Sequence, residues 1–132
     1  MSYTKKYYPK RPVKSFQDLE VYQKLLAISV ALTKQVKSEK ITSLALDLPV
    51  QIATAHSLRF GDHTKSIQAL ETVMLGCNLL VVYLEQYRDI ENANLESEFF
   101  EEQIKSLLTT RTKVLRLQRS WVKFMSLKKQ QC

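Results

Sequence analysis

A chain of 132 residues with 45% hydrophobic side chains can bury a core of its own as one domain, with no need of disulfides or a structural metal. Only two glycines and three prolines argue against a turn-rich β fold, and two cysteines, Cys77 and Cys132, are too few for a disulfide framework. The net charge of +7 is unevenly spread: residues 1–14 carry five bases and 105–132 eight, neither with an acid, while 15–104 carry seven bases against thirteen acids.

Basic ends on an acidic body point to a polyanionic partner, with solubility alone as the competing reading. Residues 1–14 form a short extended arm, because Pro9 and Pro12 oppose helix. Its Lys5, Lys6, Lys10 and Arg11 suit phosphates, and Tyr3, Tyr7 and Tyr8 suit stacking on bases. Packing of the arm across a neighbour, or simple disorder, is the alternative. No apolar run follows this basic start, so no secretory signal is expected, and reduced thiols in the cytoplasm are.

The first helix is expected from Ser15, an N-cap with Asp18 three residues on, to about Lys37. Leu19, Tyr22, Leu25, Leu26, Ser29, Leu32 and Val36 trace its inner face. After a turn at 37–40, a second helix covers 41–59 with Leu44, Leu48, Ile52, Ala55 and Leu58 inward; Pro49 falls inside it and should kink it. Residues 60–64 break the pattern, with Gly61 suited to a left-handed cap and Asp62 or Thr64 to the next N-cap.

The third helix, 65–87, contains the most apolar stretch of the chain, residues 73–84, where Asn78 is the only strongly polar side chain. A helix apolar nearly all round belongs at the centre of an assembly. Asn78 would then be buried, fixing register through a hydrogen bond. Twelve residues fall short of the roughly 20 that span a bilayer. The expected cover is therefore protein rather than membrane, in part a neighbouring subunit.

A fourth helix runs from about Leu95 to Leu127, acids first and bases last, as its dipole favours. At that length it outreaches the first two helices. Ile104, Leu107, Leu108, Val114, Leu115, Trp121, Val122, Phe124 and Met125 make a broad apolar arc. Beside it Lys105, Arg116, Arg119 and Lys123 share a sector of about 60°, and no acid follows Glu102 to pair with them. They are the candidate phosphate-binding residues, together with those of the arm.

No catalytic constellation, metal-ligand spacing or glycine-rich phosphate loop is present in the sequence. His56 and His63 read as polar surface, and adjacent Glu101 and Glu102 diverge around a helix. Neither an enzymatic activity nor a cofactor or metal is expected.

Several segments in order resemble the bacterial four-helix bundle proteins encoded in intervening sequences of large ribosomal RNA genes. They are Phe16-Gln-Asp-Leu-Glu-Val-Tyr-Gln-Lys24, Ala45-Leu-Asp-Leu-Pro-Val-Gln-Ile-Ala53 with its internal proline, and Leu75-Gly-Cys77. The basic end Arg116-Leu-Gln-Arg-Ser-Trp-Val-Lys123 is more similar to a sister group, the accessory variability determinant proteins of diversity-generating retroelements. The resemblance implies a homopentamer that binds RNA or DNA and a reverse transcriptase. The expectation is thus an all-α protein: a basic arm at 1–14 and an antiparallel up-down-up-down four-helix bundle over 15–132. Its expected role is that of a non-catalytic nucleic-acid-binding adaptor. A structural or protein-interaction bundle with no nucleic-acid role is the alternative.

Overall fold

The computed structural model describes residues 14–91 and 97–130, and they are helical almost throughout. After a 3-10 turn at Phe16–Asp18 come α1 (Glu20–Gln35), α2 (Glu39–Leu58), α3 (His63–Glu91) and α4 (Ser97–Gln130). Each helix packs on the next and α4 returns to α1, whereas the backbones of the diagonal pairs stay apart. This is an antiparallel up-down bundle with a helix at each corner. Lys5, Lys6, Lys10 and Arg11 of the expected arm lie outside the described residues.

The entry to α1 differs from the expected single helix. Ser15 and Asp18 form a reciprocal capping box around the 3-10 turn. Leu19 then leaves helical geometry (ψ 128°) while staying buried, and α1 starts anew at Glu20. Leu19, Leu25, Ser29, Leu32 and Val36 of the expected inner face are buried, joined by Val21 and Ile28, whereas Leu26 turns outward. Ser38 caps α2 through its hydroxyl, so the first connection is shorter than the 37–40 turn. Pro49 lies inside α2 and is buried.

The turn from α2 to α3 contains no left-handed residue, so Gly61 is not the cap its sequence setting implies. Arg59 remains right-handed, and its amide bonds back to the His56 carbonyl. That shift would leave the Ala55 carbonyl without its ordinary helical donor; the Ser66 hydroxyl of α3 supplies one at 2.7 Å in the core. Asp62 accepts from the Lys65 amide and begins α3.

The core is drawn from all four helices, with Leu25, Leu32, Leu48, Ile52, Leu70, Leu80, Leu84, Phe100 and Leu107 essentially inaccessible. Its tightest approach lies between α2 and α3. A Cβ added to Gly76 would stand 2.5 Å from Leu48 Cδ2, so only glycine allows this spacing.

The helices are unequal, and that governs the surface. At 1.5 Å per residue, 34-residue α4 is about 51 Å long and 16-residue α1 about 24 Å. Tyr87 stacks on Phe100 at one end of the α3–α4 pair, and Gln118 donates to the Ile67 carbonyl near the other. Lys113 pairs with Glu20, the first residue of α1. Beyond that ion pair α4 continues without α1 beside it, and past Val114 none of its described side chains is fully buried.

The apolar third helix is a corner rather than a centre. Val73, Gly76, Cys77, Leu80 and Leu84 face inward, while Leu75 (59% exposed), Leu79 and Val82 face out. Asn78 is exposed too, which overturns its expected role as a buried register-setting residue. The helix carrying this stretch has 29 residues, so the argument that it is too short to cross a membrane does not hold. By length and composition it is long and apolar enough, and eight of its residues lie in the protein core.

Candidate nucleic-acid interface

Arg116, Arg119 and Lys123 are exposed along one edge of α4, in the part that extends past α1. Spacings of three and four keep them on one face. Among the described residues none of them has a carboxylate within ion-pair range. Arg116 does share a shallow cleft with Glu20 and Lys113, where α1 begins. Lys113, by contrast, is neutralised by Glu20, an acid that comes from another helix.

Lys105 is separated from this group. It lines a shallow depression with Glu98, Glu101 and Glu102 at the acidic end of α4. Arg116 is eleven residues further on, about 16 Å along the axis. The shared sector on the helical wheel is real, but between them that face carries Leu108, Thr109 and Thr112, and the intervening bases Arg111 and Lys113 are half-buried on other faces. The bases of the candidate interface are therefore Arg116, Arg119 and Lys123; Lys128 and Lys129 are exposed in the following turns on other faces of the helix.

Next to this edge is a cleft of about 230 Å³, absent from the reading of the sequence. It lies where the α2–α3 turn meets the last turns of α4. Phe60 and Phe124 stand at its mouth, 59% and 52% exposed, with ring centroids 6.2 Å apart and planes inclined at 52°. Trp121 closes the back, half-buried against His56. The Arg59 guanidinium lies 4.3 Å from the Phe60 ring centre and the Lys128 ammonium 5.7 Å from it, two cations from different elements on one ring.

His56 is buried, not at the surface as its loop-flanking position implies. Arg59 Nη1 lies 2.6 Å from the His56 carbonyl and 3.1 Å from Nδ1. Arginine only donates, so Nδ1 accepts and the ring proton sits on Nε2. Burial, and then the adjacent guanidinium, hold the His56 pKa below its ordinary value. Nδ1 of His63, on the cleft wall, is buried without a hydrogen-bond partner. Cys77 is a buried free thiol whose pKa burial pushes up to about 12, so it has little thiolate character. Cys132 lies outside the described residues.

Fold and surface together define a four-helix bundle with a basic, aromatic end. No family model, curated protein or solved structure matches the chain.

Proposed function

We propose that this protein is a non-catalytic, homo-oligomeric adaptor that binds RNA or DNA through the end of α4. The observation that carries the reading is the exposed edge of Arg116, Arg119 and Lys123, without carboxylate partners among the described residues. The acids of α4 are confined to its opposite end; from Glu102 to Arg116 is about 21 Å, a distance over which exposed charges are screened. Phosphate contacts of this kind give affinity with little sequence preference. In an assembly each subunit repeats the edge, so individually weak contacts add through multivalency. A reverse transcriptase as protein partner rests on the family resemblance alone.

Converting Arg116, Arg119 and Lys123 together to glutamine tests the reading. Each phosphate contact on duplex DNA contributes about 0.9 to the slope of log affinity against log salt. The triple variant should bind more weakly, with a slope lower by about 2 to 3, and keep the wild-type mass by light scattering. Unchanged binding by an intact triple variant would remove α4 from the interface and direct attention to Lys5, Lys6, Lys10 and Arg11. Wild-type protein that binds neither RNA nor DNA at low salt would favour the second reading, a protein-interaction bundle. That reading is supported by the uncovered stripe of Leu75, Leu79 and Val82.

A further inference from the structure

The phosphate edge accounts for the charges of α4 but leaves the cleft beside it without a role. Two exposed phenylalanines, a tryptophan behind them and two cations against one ring are costly to leave in water if they only complete a core. Nothing within the described chain covers them, since α1 ends its overlap with α4 at the Glu20–Lys113 pair. We propose that this cleft is a stacking subsite for one unpaired nucleobase, taken from a single-stranded segment whose phosphates lie along Arg116, Arg119 and Lys123. The inference rests on the nucleic-acid reading above and adds the form of nucleic acid preferred.

Size, charge and position agree on that occupant. A volume of about 230 Å³ is under the roughly 300–1,000 Å³ of pockets for drug-sized ligands and suits a single ring system. The rings at the mouth splay at 52°, so a base lies against one face instead of being clamped between two. Arg59 and Lys128 stand at the rim, where the sugar-phosphate backbone of a stacked nucleotide passes. Ser120 and Phe124 border the cleft about 100° around α4 from Arg119 and Lys123, so a strand on the basic edge reaches the rings by passing around the helix. A duplex keeps its bases paired and stacked inside and cannot use such a platform, whereas a single strand can, with little regard to sequence.

The test compares oligothymidylate and oligouridylate of about twelve nucleotides with a duplex of the same length. The proteins are the wild type, Phe124→Ala, Phe60→Ala/Phe124→Ala and the conservative Phe124→Tyr. Stacking on an aromatic side chain is worth about 1–3 kcal/mol per base, which corresponds to a loss of roughly five- to a hundredfold. Single-strand affinity should therefore fall by that factor in the alanine variants, with the salt slope and duplex affinity unchanged, and Phe124→Tyr should restore it. The sole tryptophan, Trp121, lines the cleft, so its fluorescence should be quenched by the single strands and not by the duplex. Both phenylalanines are more than half exposed, so the variants should keep the wild-type thermal midpoint.

Single-strand affinity that survives Phe60→Ala/Phe124→Ala, or that falls in step with duplex affinity, overturns the subsite and leaves the phosphate edge standing. Loss of the oligomer in that variant, seen by light scattering, makes the cleft a subunit contact and overturns it as well. Wild-type protein that binds neither form at low salt ends the nucleic-acid reading itself.

Discussion

His56 illustrates how a single side chain can escape a reading by position. It lies near a turn and is polar, yet it is buried between Trp121 and the Arg59 guanidinium. In the unfolded chain its pKa is the ordinary 6.5, and in the folded chain it is lower. As pH falls through 6.5 the unfolded chain takes up the proton first, so stability held above that pH is lost below it. Urea unfolding at pH 7.5 and pH 5 should show this loss in the wild type and less of it in His56→Gln. An equal loss in both would assign the acid sensitivity elsewhere.

Among the helices, the α2–α3 contact is the one most dependent on a particular residue. Replacing glycine by alanine in a helix interior ordinarily gains up to about 1 kcal/mol. At Gly76 the new methyl meets Leu48, itself 1% exposed and without room to withdraw, and overpacking of this kind costs about 1–3 kcal/mol. Gly76→Ala should therefore be net destabilising by about 1 kcal/mol. Trimming the obstacle should uncover the propensity gain, so Gly76→Ala/Leu48→Val should be more stable than the two single changes add up to. Denaturant midpoints of the four proteins give the coupling directly, and simple additivity would contradict the contact.

For the whole molecule the open question is what covers the outer face of α3. Thr72, Leu75, Leu79, Val82 and Gln86 follow one another at spacings of three and four, a seam of the kind that pairs with another helix. If that seam joins copies of this chain, light scattering at micromolar concentration should give a multiple of 15.4 kDa, with five copies expected from the family resemblance. Leu75→Glu/Leu79→Glu should then yield a folded monomer, because both positions are exposed in the single chain. A wild-type monomer would remove the assembly from the proposed function.

Much of this was legible in local chemistry. Helical spacing, few glycines and prolines, and short polar breaks determine four helices and their order, since those signals act within a turn or two of chain. Ser15 with Asp18, and Asp62 ahead of α3, cap where their side chains predict, because a cap bonds amides two or three residues away. The acid-to-base gradient of the last helix is likewise a property of the chain itself. What needed the tertiary structure depends on which helix ends where beside another. The packing of α1 against its neighbours added Val21 and Ile28 to its inner face and turned Leu26 outward. The corner position of α3 exposed Asn78. The start of α1 only at Glu20 left the end of α4 uncovered by the described residues, where Phe60 and Phe124, 64 residues apart in sequence, meet as one cleft. A helical wheel records the angle around an axis and not the neighbours along it, which is why it grouped Lys105 with Arg116 although acids surround the one and bases the other.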